Sequence, residues 1–213
     1  MSKPENLLRE EIAELGKSLY DRGFAHGSAG NISVKLDDGN WLLTPTNSCL
    51  GRLDPSKISK LDGNGKLING DAPSKESFLH LAMYQERAKS AAVVHLHSLH
   101  AVAVSCLAGL DPADVFPPIT AYAIMQVGRL ALVPYIPPGD QTLADAVRKL
   151  AGRHHAVLLA NHGPVVAGSS LTAAVNAIEE LEQTARLMLL LRGHPTQLLT
   201  AGQVAELNRR FPS

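Results

Sequence analysis

A chain of 213 residues with 45% apolar and 19% charged content can form one globular domain with a substantial core. Its 20 Lys and Arg balance its 20 Asp and Glu, so no basic field draws nucleic acid or an anionic membrane, and an anionic ligand must be held locally. Cys49 and Cys106 offer neither a CxxC motif nor a disulfide framework; with a polar N-terminal run and no apolar stretch of spanning length, this suits a cytoplasmic protein.

Residues 5–22 read as an amphipathic helix, with Leu7, Leu8, Ile12, Leu15 and Leu19 at helical spacing and Gly23 as its stop. The loop 24–31, Phe-Ala-His-Gly-Ser-Ala-Gly-Asn, exposes backbone N–H groups that either wrap an anion or simply turn the chain. A hairpin follows, 32–36 and 41–44 joined by Asp37-Asp38-Gly39-Asn40. After the hydroxyl-rich loop Thr44-Pro45-Thr46-Asn47-Ser48, a second hairpin pairs 58–61 with 66–68. Ser74-Lys75-Glu76 opens a helix through Arg87; that end supplies a hydroxyl, a cation and free N–H groups to an anion, or is an ordinary serine cap beside a solvated lysine.

The run Ala92-Val93-Val94-His95-Leu96-His97 reads as a buried strand, and a helix follows from Ser98 to about Leu107. Residues 110–118 are irregular, and 120–125 fit a short helix or a strand equally well. A strand at 130–133, a rigid Pro-Pro-Gly loop and a helix through Leu150, capped by Asp140 or Thr142, come next. Residues 156–160 form a buried strand ending in Asn161-His162-Gly163-Pro164, a histidine beside a Gly-Pro turn, and the chain continues as strand over 165–168. The longest helix spans 171–192; its Leu187–Leu191 end is apolar nearly all round, which suits burial against another subunit. Thr200 and Gln203 form a capping box for a last short helix. With no repeat or linker, residues 1–213 are expected to make a single domain.

Alternation along a strand puts His95 and His97 on one face. Neutral imidazole is a common metal ligand, although two strand histidines can equally be one solvated and one bonded to backbone. His162 ends a second apolar strand. If the two strands lie close, three histidines converge with an open position, the arrangement of a catalytic zinc site, and Glu76 becomes a fourth ligand or a displaced base. His26, His80, His100, His154, His155 and His194 compete; Glu76 and His80, one turn apart, are an alternative ligand pair, and His154-His155 reads as solvated.

Taken in order, Gly30-Asn31, Thr44-Pro45-Thr46, Pro73-Ser74-Lys75-Glu76, Val94-His95-Leu96-His97 and Asn161-His162-Gly163 resemble the class II aldolase/adducin family, typified by L-fuculose-1-phosphate aldolase and L-ribulose-5-phosphate 4-epimerase. The resemblance runs from the first helix to Leu191. It implies an α/β fold of three layers, α/β/α, with a central, mostly antiparallel sheet flanked by helices, in homotetramers whose active sites lie between subunits. It implies one zinc per subunit on His95, His97, His162 and Glu76, with Glu76 also moving a proton. It implies a phosphate and carboxylate pocket of Asn31, Thr46, Asn47, Ser74 and Lys75, and a proton-donating Tyr122 reaching a neighbouring site. Manganese, cobalt or iron would suit the same ligands.

Asn47 stands where the aldolases usually have glycine, and Lys75 where they have serine. With Ser48-Cys49-Leu50-Gly51 and Asn161-His162-Gly163-Pro164, these departures resemble the 3-oxo-tetronate 4-phosphate decarboxylases of four-carbon acid-sugar catabolism. The implied carboxy-lyase reaction converts a small phosphorylated acid sugar to dihydroxyacetone phosphate and CO2 through a zinc-stabilised enediolate. The alternative is a zinc aldolase cleaving a sugar phosphate such as L-fuculose 1-phosphate. An adducin-like interaction module, without the metal set, is disfavoured because all three histidines and Glu76 are present.

Overall fold

The computed structural model describes residues 3–211; Met1 and Ser2 of the polar N-terminal run lie outside them. Eight strands form one mixed sheet: β1 Asn31–Lys35, β2 Trp41–Leu43, β3 Ser59–Leu61, β4 Leu67–Asn69, β5 Ala92–His95, β6 Ala131–Val133, β7 Ala156–Leu159 and β8 Gly163–Gly168. Their spatial order is β4-β3-β2-β1-β5-β8-β7-β6, and every neighbouring pair is antiparallel except β6 with β7. The helices are α1 Glu5–Asp21, α2 Ser77–Glu86, α3 Leu99–Ser105, α4 Thr142–Ala151, α5 Leu171–Leu190 and α6 Ala201–Arg210.

Period-two alternation sorts the strands' apolar residues into two cores. Val94, Ile32, Leu158 and Val166 face a layer built from α1, α3 and α5. Val93, Leu43, Leu159 and Val165 face α2 and α4. The expected three layers therefore form, with the central strands buried on both faces. His95 and Asn31 lie opposite each other in the β1–β5 ladder, at the ends of their strands.

Several elements differ from the sequence expectation. The strand read as 92–97 ends at His95, because the Leu96 N–H reaches the Pro164 carbonyl but Pro164 has no N–H to return. The helix read from Ser74 starts at Ser77; residues 74–77 form a turn in which the Ser77 N–H bonds the Ser74 carbonyl. The strand expected at 165–168 forms as β8, starting two residues earlier at Gly163 and returning antiparallel to β7; Asn161, at φ 55°, takes the left-handed conformation that reverses the chain. Of the two alternatives for residues 120–125, the helix forms: residues 121–122 are helical and run into a π-helical turn over Ala123–Val127. His155 is not solvated; it is partly buried with Nδ1 against the Ala167 carbonyl. The α6 capping box is present with both of its hydrogen bonds. No helix among the described residues is long and apolar enough to cross a membrane.

Candidate functional site

Four chain segments meet at one end of the sheet. His95 ends β5, and His97 lies two residues on, at the entry to α3. Asn161 and His162 form the β7–β8 turn. Glu76 precedes α2 as its N-cap residue, and its side chain makes no capping bond, so it is free to face the histidines. Gly163 lets the turn approach: a Cβ there would overlap the Leu96 carbonyl oxygen. Gly30, at φ 87°, is pressed against Leu96 and the His95 carbonyl in the same way.

The three imidazoles converge edge to face, with ring centroids 4.7 to 4.9 Å apart. His97 Nε2 lies 3.0 Å from His95 Nε2 and 3.1 Å from His162 Nε2. Glu76 Oε2 is 3.4 Å from His95 Nε2, and Oε1 is 3.1 Å from His162 Nε2. One ligand atom from each residue falls within 4.8 Å of all the others, so the cluster can hold a metal ion. The alternation argument for His95 and His97 thus holds even though His97 lies beyond the ladder.

The protonation pattern suits that role. His95 Nδ1 is 2.8 Å from the Pro164 carbonyl and donates to it, which leaves Nε2 as a lone pair pointing into the cluster. Burial, with weaker like-charge pressure from neighbouring histidines, pushes His97 down to about 3 and lowers His95, so both imidazoles are neutral at ordinary pH. Burial alone would raise the Glu76 carboxyl, but His95, His162 and the Asn31 amide outweigh it and hold it well below the usual carboxylate range. Lone pairs of neutral imidazoles facing one another at such distances repel unless a proton or a cation stands between them. The donor set fits a divalent first-row ion, with the carboxylate adding charge.

A polar cavity of about 240 Å³ adjoins the cluster, sharing Glu76 and His97 with it. Asn31, Thr46, Asn47, Ser74 and Lys75 all line it, so every residue expected in the phosphate pocket is brought together. Lys75 is exposed and Ser74 is buried. Asn47 holds a left-handed backbone at φ 56°, which asparagine tolerates in place of glycine. Asn31 is only 4% exposed, and its Nδ2 donates to Glu76 Oε2 at 2.8 Å, so its amide is engaged with the carboxylate. A second cavity of about 500 Å³ also shares Glu76 and His97; Leu99, Val102 and Ile136 make it more apolar, and His26 and Tyr135 sit on its wall.

Tyr122 is 63% exposed and lines neither cavity. His80 is not a metal ligand: its Nε2 faces Asn31 Oδ1 and its Nδ1 faces Ser33 Oγ. Sequence reasoning missed Ser33 and Tyr84, which extend this buried set, and Glu182, which accepts the His100 and Ala101 N–H groups at the start of α3. The one available signal was Glu76 and His80 at helical spacing, which reads as readily as a ligand pair. Glu182 gives no local signal, because its partners lie 81 and 82 residues away.

The family model for the class II aldolase and adducin N-terminal domain matches residues 10–189. The chain belongs to the class II aldolase and adducin family. Within this family, a 3-oxo-tetronate 4-phosphate decarboxylase of Escherichia coli K12 is 51% identical over 206 residues, covering 97% of each chain. An L-fuculose phosphate aldolase of Escherichia coli O6:H1 is more distant, 33% identical over 210 residues and covering 97% of this chain and 94% of the relative. The crystal structure of Escherichia coli YgbL superposes with a TM-score of 0.95 at 50% identity, covering 96% of this chain and 99% of that one. The chain is an enzyme, and the shared name of its 51% identical relative places this branch of the family among the carboxy-lyases.

Proposed function

We propose that the protein is a metal-dependent 3-oxo-tetronate 4-phosphate decarboxylase, releasing CO2 and dihydroxyacetone phosphate. The observation that carries this reading is the junction of the Glu76/His95/His97/His162 cluster with a polar cavity holding Lys75 and Ser74. The 51% identical relative of that name supports the substrate.

His95, His97, His162 and Glu76 would hold a single divalent ion, zinc by preference for a donor set dominated by imidazole. When bound, such an ion acts as a Lewis acid toward an electron-rich oxygen of the substrate. Lys75 and Ser74 hold the phosphate by a charge-assisted and a hydroxyl hydrogen bond, which fixes the chain of the substrate across Glu76. Losing CO2 from a 3-oxo acid leaves an electron pair that conjugates with the ketone as an enediolate, and a proton must then reach carbon 2. Glu76 stands where the two cavities meet and is the first candidate to deliver it. Tyr122, exposed and remote from its own chain's cavities, is the second candidate donor, reaching the site of a neighbouring copy in a homotetramer. Exposed Leu190 and Tyr135, at 63% and 61%, supply apolar surface for such contacts. Both cysteines are free thiols, as suits work in the cytoplasm.

The test is to incubate the protein with each enantiomer of 3-oxo-tetronate 4-phosphate and follow CO2 and dihydroxyacetone phosphate, with and without a chelator. Chelator-sensitive release from one enantiomer is expected. No release from either would transfer the metal site to an aldolase acting on another phosphorylated substrate.

A further inference from the structure

Behind Glu76 a chain of buried polar side chains leads inward from Asn31 on the cavity wall to His80, Ser33 and Tyr84, which line neither cavity. Ser33 and His80 are fully buried, and Tyr84 is 6% exposed. Asn31 Nδ2 donates to Glu76 Oε2 at 2.8 Å, and Asn31 Oδ1 lies 2.5 Å from His80 Nε2. His80 Nδ1 is 2.7 Å from Ser33 Oγ, which is 2.8 Å from the Tyr84 hydroxyl. The direction of every bond follows from its end at Glu76. A carboxylate only accepts, so the Asn31 edge facing it is the NH2 group. The opposite edge, Oδ1, only accepts, so His80 Nε2 carries a hydrogen. Burial holds the imidazole neutral, pushing it down to about 3, so Nδ1 is an acceptor. The Ser33 O–H fills Nδ1, and the Tyr84 O–H fills the Ser33 oxygen. Each group then has one partner of the right kind, which is what such burial demands.

The elements make this chain stiff. Asn31 and Ser33 are alternate residues of β1 and share a face. His80 and Tyr84 are one turn apart on α2, the helix that Glu76 precedes. Asn31 also pairs with His95 across the β1–β5 ladder. The hydrogen bonds therefore tie the start of α2 to the strand pair that carries the first histidine.

We propose that His80 is a positioning residue: through Asn31 it fixes the orientation in which the Glu76 carboxylate is presented to His95, His97 and His162. An asparagine cannot pass a proton along, so the chain braces Glu76 and does not supply it with protons. The inference rests on Glu76 belonging to a metal site, and is independent of which substrate the site takes.

Two measurements on the full chain test it. Long-range 15N–1H correlation on histidine-labelled protein reads the tautomer, and the neutral Nε2–H form is expected for His80. The Nδ1–H form, or an imidazolium at neutral pH, overturns the inference by itself. Cobalt(II) titration followed by visible absorption then compares wild type with His80→Leu and His80→Gln. His80→Leu is expected to weaken cobalt binding about 10- to 100-fold and to shift the absorption bands, as loss of a partner behind a metal ligand does. His80→Gln keeps an N–H for Asn31 and is expected to recover most of the affinity. If His80→Leu fails to fold, Ser33→Ala tests the same chain with a smaller loss expected. Wild-type affinity and spectrum in the Leu variant, or in Ser33→Ala where it stands in, overturns the inference, as does equal loss in Leu and Gln, which marks packing alone. No cobalt uptake by wild type would overturn the metal-site reading and this inference with it, whereas a changed tautomer leaves that reading standing.

Discussion

His97 is the hinge of the cluster, since its Nε2 is the atom from which the other two histidine nitrogens stand 3.0 and 3.1 Å away. It lies outside the ladder, so its removal takes little from the sheet. His97→Ala is expected to strip the metal and abolish turnover while leaving the circular dichroism spectrum intact; metal analysis of the purified variant checks this, and full occupancy would refute the ligand set. Lys75 acts differently. It is exposed on the wall of the polar cavity and is not one of the four clustered residues. Lys75→Ala is expected to raise KM for the phosphorylated substrate about 10-fold, the low end for a hydrogen bond to a charged group, with metal content unchanged. An unaltered KM would make Lys75 a solvated surface residue.

At the level of elements, the β7–β8 turn decides whether His162 reaches its partners. Its approach depends on a missing side chain at Gly163, whose Cβ would overlap the Leu96 carbonyl oxygen. Gly163→Ala is expected to cost about 1 to 3 kcal/mol of stability, the range of an overpacked site, and to lower metal affinity; denaturant unfolding and a metal titration read the two. A variant as stable and as metal-avid as wild type would show that the backbone yields there cheaply. What the sequence made legible at this level depended on whether the signal was local. The α1 stripe, the two hairpins and the α6 capping box rest on short-range pattern and turn chemistry, and they form where expected. The early end of β5 was missed because it is set by Pro164, 68 residues on from Leu96. The convergence of His95, His97 and His162 was readable because histidines standing in apolar runs are conspicuous. The brace behind Glu76 was not, because Ser33, His80 and Tyr84 look like ordinary members of a strand and a helix until the two are packed together.

For the molecule as a whole, the unplaced residue is Tyr122, exposed and lining neither cavity of its own chain. If it serves a neighbour, sites are shared, and two dead variants can complement each other. Co-expressed Tyr122→Phe and His97→Ala chains are each expected to be nearly inactive alone but together to regain roughly a quarter of wild-type activity, the fraction that random pairing gives for a site built from two subunits of a symmetric oligomer. No recovery in the mixed protein would place the proton donor within one chain.

The cluster also has a bearing on how the protein comes apart. His97 and His162 are 65 residues apart in the chain, and the turn that carries His162 is held by the ends of the β7–β8 and β5–β8 ladders and by the Asn161 N–H on the Ser105 carbonyl. An ion gripping both acts as a reversible cross-link across a long loop, and binding only the closed form, it lifts the cost of opening that turn by its own binding free energy. Local opening that exposes the β7–β8 turn in the metal-free chain is thereby coupled, in the loaded chain, to loss of the ion. The same four residues that would perform the chemistry would thus make metal supply a determinant of proteolytic lifetime.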